Sequence, residues 1–289
     1  MGRRVNWGDM PSEPQMRADQ DTILRRHPVV AYFVLTFALS WFGALAVAAP
    51  HLIHGEPVPK ITGMLMFPAM LLGPSSVGTL LTWIVDEKSG LRSLLSQLFR
   101  TRVSPPWYAA LLIPPVLVLG VLLVLERLVS STFAPNRFWL GILFGFPAGF
   151  FEEIGWTGYA FPKMRSQNDG LTPGILLGLL WGLWHLPVID YLGTATPHGV
   201  YRLPFFLAFT VAMTAMRILI AWVYTNTKSV LLAQFMHVSS TGSLVLFSPS
   251  RVTARQEVLW YSLYGIVLWV AVAIVVRMFG RSLSARQCT

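Results

Sequence analysis

Two adjacent glutamates and two histidines interrupt runs of apolar residues. Glu152 and Glu153 lie in FFEEIGWTGYAFP, His185 in LLWGLWHLP and His237 in LLAQFMHVSSTGS. Ionisable groups are expensive away from water, so each is a candidate for function. A glutamate in a dry cavity holds its proton to higher pH than in water, which suits general-base work near neutrality. Histidine beside it can orient the water or stabilise an oxyanion. Glu152, His185 and His237 can alternatively ligate a divalent metal such as zinc that activates water. Two blander readings stay open: polar glue between helices, and the proton path of a carrier. The single cysteine, Cys288, lies one residue from the end, which leaves no disulfide framework, Cys-based zinc site or buried thiol nucleophile.

The elements that must position these groups are membrane helices. Of the 289 residues 54% are hydrophobic and 12% charged, where a soluble domain carries roughly 25% charge. Apolar runs long enough to span a bilayer fall near residues 29–49, 61–85, 108–129, 138–161, 171–189, 203–224, 229–247 and 258–278. The expected fold is therefore all-α, a polytopic bundle of about eight transmembrane helices. Residues 1–28 read as a disordered cytosolic arm, 29–280 as the bundle and 281–289 as a short cytosolic tail. Pro68, Pro74, Pro114 and Pro115 lie inside spans and predict kinks. No internal repeat or inverted pair of broken helices occurs, which counts against a transporter.

Eight spans put both termini on one side. Of the 22 Lys and Arg, 15 fall on that side, 6 on the other, and Arg217 within a span. The positive-inside rule then places both termini in the cytoplasm, and the net charge of +9 reads as orientation rather than nucleic-acid binding. Short loops and compact length point to a prokaryotic plasma membrane. In residues 86–107, Leu91, Leu94, Leu95, Leu98 and Phe99 recur at helical spacing among Arg92, Arg100 and Arg102. Two readings stand: an amphipathic helix on the anionic leaflet, or a solvated loop helix.

Within these spans Glu152 and His237 lie ~14 Å from the cytoplasmic end of their helices and His185 ~21 Å. Three helices can thus bring them together. Consecutive residues differ by about 100° around a helix, so the two glutamates cannot face one point. One is expected to face the reacting centre and the other to bond its neighbours.

The phrases EEIGWTGYAFP, WGLWHLP and VYTNTKSVLLAQFMH, in this order, resemble the CPBP group, comprising type II CaaX prenyl proteases and bacteriocin-processing or Abi proteins. The resemblance is close over residues 138–247 and looser upstream through GPSSVGTLLT. It implies an eight-helix intramembrane endopeptidase acting on a membrane-associated, in some members prenylated, protein or peptide. By position Glu152 is similar to the glutamate that activates water, Glu153 to its supporting partner, His185 to the histidine sharing the water and His237 to the oxyanion histidine. The group has been described both as metal-dependent and as glutamate-dependent. With no HExxH and no third histidine at ligand spacing, the second description suits this chain better.

The chain departs from the family pattern at three positions. The arginine expected at the end of EExxxR is Thr157. The phenylalanine four residues before the first histidine is Trp181. The asparagine four residues after the last histidine is Thr241, which can still donate one hydrogen bond. Thr157 and Thr241 favour the alternative of a weakened scaffold that binds a membrane peptide without cleaving it. Arg217, in FTVAMTAMRILIAWVY, has two readings. It supplies the cation that Thr157 does not, paired with Glu153, or it snorkels ~15 Å to the interface. Trp156 and Trp184 line a substrate cleft or merely pack. His51, His54 and His198 fall in outer loops and are expected to be solvated, and Asp190 to be interfacial.

Overall fold

The computed structural model describes residues 23–285. Eight long helices run up and down: α1 (Pro28–Ile53), α2 (Lys60–Leu98), α3 (Ile113–Leu128), α4 (Gly141–Gly155), α5 (Leu171–Trp184), α6 (Arg202–Thr227), α7 (Val230–Phe247) and α8 (Ala254–Phe279). Six helical segments are individually long and apolar enough to cross a membrane. The other two helices, α4 and α5, are shorter and interrupted. α4 continues through a π-helical turn, Trp156–Ala160, into Phe161–Met164. α5 has 14 residues and gives way to a 3₁₀ segment, Leu186–Tyr191. Pro187 explains the change, since it lacks an N–H and disfavours α geometry in the residue before it. His185 consequently sits at the end of α5 rather than inside it.

Contacts at the two ends preserve the alternation. At the more basic end Lys163 pairs with Asp86 at 2.8 Å, Tyr224 bonds Gln97, Ser229 bonds the Arg100 carbonyl, and Arg281 reaches Asp169. At the opposite end Asn136 bonds Phe247, and Gln256 donates to Thr132. Residues 281–285 fold back onto the basic end, where Asn226 bonds both the Leu283 carbonyl and the Ala285 N–H. A helical turn, Ile23–Arg26, precedes α1. The rest of the N-terminal arm, residues 1–22, and the tail residues 286–289 with Cys288 lie outside the described residues.

Lipid-facing and buried sides separate by spacing. On α1 the residues Tyr32, Thr36, Ser40, Ala44 and Ala48 form a buried stripe at intervals of four, as one helical face requires. Val30, Val34, Phe42 and Leu45 stay exposed on the other side. In α2 the backbone breaks at Glu87 (φ 59, ψ −155). Beyond it the amphipathic segment turns inward with Leu94 buried while Leu95 and Phe99 remain exposed. Pro68 and Pro74 lie within α2 as expected, whereas Pro114 and Pro115 occupy the first turn of α3, where a missing N–H costs nothing.

One loop expectation is overturned. His198 is 2% exposed, its ring stacked on Phe205 with centroids 3.9 Å apart. The reason is Glu257, fully buried in the first turn of α8, which draws the loop down as its donor set. His198 Nε2 lies 3.0 Å from its carboxylate, and the Thr194 and Ala195 N–H groups donate at 2.8 and 3.0 Å. Gly193, at φ +77, is required here because a Cβ would stand 2.4 Å from Glu257 Oε1. His51 is partly exposed and His54 exposed, as expected, and Asp190 pairs with Arg202 at 3.0 Å.

Candidate active site

Close helix approach builds the site. Gly145 and Gly149 of α4 meet the α7 backbone, where a Cβ would lie 2.6 Å from the Val238 carbonyl oxygen or 2.7 Å from that of Gln234. On α5, Gly178 meets the Thr214 backbone of α6 and Gly182 the Thr210 side chain. Glycines four apart form a flat strip that lets backbones touch, the usual route to tight packing where lipid supplies no hydrophobic drive. Gln234 adds a hydrogen bond from α7 to the Phe150 carbonyl of α4, 2.9 Å. Glu152 and Glu153 lie just beyond this contact, and the π turn begins three residues after them. Such turns often accompany functional sites because they re-aim side chains.

Glu152, Glu153, His185, Arg217 and His237 come together, none more than 5% exposed. The two glutamates point to different partners. Glu153 is saturated. Arg217 grips it with two hydrogen bonds, Nη1 to Oε2 at 2.7 Å and Nη2 to Oε1 at 2.8 Å. His237 Nδ1 lies 2.8 Å from Oε1, and the Thr157 hydroxyl donates to Oε2. Arg217 also lies 3.4 Å from the Thr157 oxygen and stacks over Trp181, its Cζ 4.3 Å from the ring centroid. Of the two readings of Arg217, the structure has the pairing and not the snorkel.

Glu152 is arranged differently. Both of its protein hydrogen bonds fall on one oxygen, Oε2, from Trp181 Nε1 at 2.6 Å and Trp156 Nε1 at 3.2 Å. Its other oxygen, Oε1, is buried with no partner among the described residues. His185 Nδ1 lies 2.8 Å from the Trp181 carbonyl, which can only accept, so Nδ1 carries a proton and Nε2 presents a lone pair when the ring is neutral. His237, with Nδ1 committed to Glu153, also leaves Nε2 without a protein partner. The rings of His185 and His237 lie 5.7 and 5.0 Å from that of Trp181. Chemically this is a carboxylate oxygen and two imidazole nitrogens with free valence in a water-poor centre.

Thr241, one turn beyond His237 on α7, is partly buried, and no hydrogen bond joins it to the cluster. Trp156, which sequence reasoning left between lining and packing, is a donor to Glu152. Its spacing of four from Glu152 on a helix was the available signal. Trp184 is buried beside His185, ring centroids 4.9 Å apart, its indole N–H unpartnered. The donor chemistry of Glu152, His185 and His237 would suit a divalent cation. Among the described residues, however, no group of three or more His, Cys, Asp and Glu side chains is placed to hold one.

Residues 134–243 match the family model described as type II CAAX prenyl endopeptidase Rce1-like. That segment runs from just before α4 to within α7 and includes all five clustered residues. A CAAX prenyl protease 2 of Methanococcus maripaludis is 27% identical over 221 residues, covering 71% of this chain and 80% of the relative.

Proposed function

We propose that the chain, whose residues 134–243 match the type II CAAX prenyl endopeptidase Rce1-like model, is an intramembrane protease of the CPBP kind that hydrolyses a peptide bond of a membrane-associated protein or peptide with a water activated by Glu152. The observation that carries this reading is the buried Oε1 of Glu152, without a partner among the described residues, in the same cluster as two imidazoles whose hydrogen bonds among those residues are made by Nδ1. The two other fully buried glutamates, Glu153 and Glu257, have both oxygens engaged.

In this mechanism Oε1 takes one proton from a water that also donates to His185 Nε2, and the hydroxide attacks the scissile carbonyl. His237, when its ring is the imidazolium, donates from Nε2 to the tetrahedral oxyanion. Glu153 and Arg217 hold His237 in place and keep the buried charges balanced. Collapse of the intermediate breaks the C–N bond, and the proton on Glu152 passes to the leaving amine. Water is thereby consumed, giving one carboxylate and one amine product. Thr241 is assigned weaker oxyanion support, reached only if substrate binding brings the carbonyl toward α7.

The name of the Methanococcus relative, CAAX prenyl protease 2, supports a prenylated CaaX-type substrate. The 15-to-6 charge asymmetry supports cytoplasmic termini, and the short loops and compact length a prokaryotic plasma membrane, which gives the site access to such substrates from the inner leaflet. The test is cleavage of a fluorogenic farnesylated CaaX peptide by purified protein in liposomes. Wild type should cleave, Glu152→Ala should lose at least about 10³-fold in kcat, and exhaustive chelation should leave the rate unchanged. Peptide that binds wild type uncut would favour the scaffold reading that Thr157 and Thr241 suggest. Activity lost on chelation and restored by zinc would overturn the metal-free mechanism.

A further inference from the structure

A carboxylate acts as a base through one oxygen, and its efficiency depends on where that oxygen points. Glu152 reaches its position with both N–H donors on Oε2 and none on Oε1. Indole nitrogen is a donor only, so neither contact has an alternative polarity. The two indoles arrive from different directions. Trp156 is four residues along the same helical path, wedged against Tyr32 at 5.5 Å and Trp184 at 6.0 Å between ring centroids. Trp181 comes from α5 and is clamped between elements, its face under Arg217 and its ring 5.0 Å from His237. Neither ring can swing away without vacating a packed site, so the carboxylate plane is held by two rigid points.

Packing alone does not call for these N–H groups. A phenylalanine fills much of the same space, and an indole N–H can be left unbonded elsewhere in this bundle, as at the buried Trp260. The arrangement also links the two glutamates. The ring that donates to Glu152 is the platform for the arginine that grips Glu153, so one side chain fixes base and supporting ion pair together. The ionisable neighbours of Glu152 are Glu153, Arg217 and His237. Among the described residues none of them supplies a hydrogen bond to it, and the two indoles are the donors that orient it.

We propose that Trp156 and Trp181 are positioning residues that hold Oε2 of Glu152 so that Oε1 is aimed at the reacting water. This rests on the proteolytic reading above. Trp181→Phe and Trp156→Phe remove one N–H each while keeping an aromatic ring. With the farnesylated CaaX peptide in liposomes, each variant should lose about 10- to 100-fold in kcat, the worth of one buried hydrogen bond to a charged group. KM should stay within about 2-fold, because the loss falls on the chemical step. Trp260→Phe, remote from the site on α8, should leave both constants unchanged. Unchanged kcat in both variants, with wild type active and Glu152→Ala dead, would overturn the positioning role alone. A raised KM with normal kcat would overturn it too, assigning the indoles to substrate contact. Absence of cleavage by wild type would instead remove the proteolytic reading beneath it. Because the two tryptophans sit on different elements, misfolding of one variant leaves the other as an independent test.

Discussion

Glu152 and Glu257 are both fully buried carboxylates, one deep between α4, α5 and α7, the other under the loop that leads into α6. Glu257 has both oxygens occupied, Oε1 by the Thr194 N–H and Oε2 by the Ala195 N–H and His198. Its donors are largely backbone, which cannot be withdrawn without unfolding the loop. Glu152 has side-chain donors on one oxygen and nothing on the other. Burial of charge is therefore not itself the mark of chemistry in this molecule. A saturated carboxylate ties a loop to a helix end, while an unsaturated one has a free lone pair in a place that evicts most water. Glu153 belongs with Glu257 by this criterion although it is adjacent to Glu152.

Conservative substitution of the two acids separates them most strongly. Glu152→Gln should abolish peptide cleavage, by at least about 10³-fold, and leave thermal unfolding in detergent nearly unchanged. Glu257→Gln should do the reverse, keeping kcat within a few-fold while costing about 3 kcal/mol through mismatched buried donors. An inactive Glu257→Gln protein of normal melting temperature would erase the distinction.

Arg217 tests the saturated half of the inner site. Arg217→Met strands Glu153 and should cost about 3–5 kcal/mol, the usual penalty for an uncompensated buried charge, with activity falling alongside. Adding Thr157→Arg should recover part of both, because position 157 already bonds the same carboxylate. If Arg217→Met folds and cleaves like wild type, the cation is dispensable and the ion pair has been overvalued.

The smallest effect belongs to Asp169, at the basic end outside the membrane spans. The Thr172 hydroxyl and N–H, helped by Arg281, hold its carboxyl at about 2. Because the folded value lies below the ordinary one, its contribution is present above about 3.8 and disappears as pH falls toward about 2. Asp169→Asn should lower stability by no more than about 1 kcal/mol at neutral pH, with no change at pH 2. Melting curves at the two pH values check the sign.

Several features were legible from residue order. The eight crossings followed from apolar length, and the divergence of Glu152 and Glu153 from the 100° step of a helix. The pairing of Arg217 with Glu153 was readable as one of two options, because an arginine deep in a span needs an acid. The misreading of His198 has a physical cause. A histidine in a polar loop reads as solvated unless its partner is known, and Glu257 is 59 residues away on another helix. The glycine strips carried a signal in their spacing of four, but which helix each strip meets is a property of the assembled bundle.

By itself the sequence determined that the chain must be a membrane bundle, since its apolar content admits no other solvent. It also determined that two acids, two histidines and one arginine must be buried within it, since their spans cross where they stand. Only the tertiary structure decided which acid is satisfied and which is not. That depends on donors from three other helices, and on indoles whose N–H groups could have pointed anywhere until α5 packed against α4. Whether a buried carboxylate has both oxygens bonded or one left over is a property of the packed molecule, because the donors come from residues far apart in the chain.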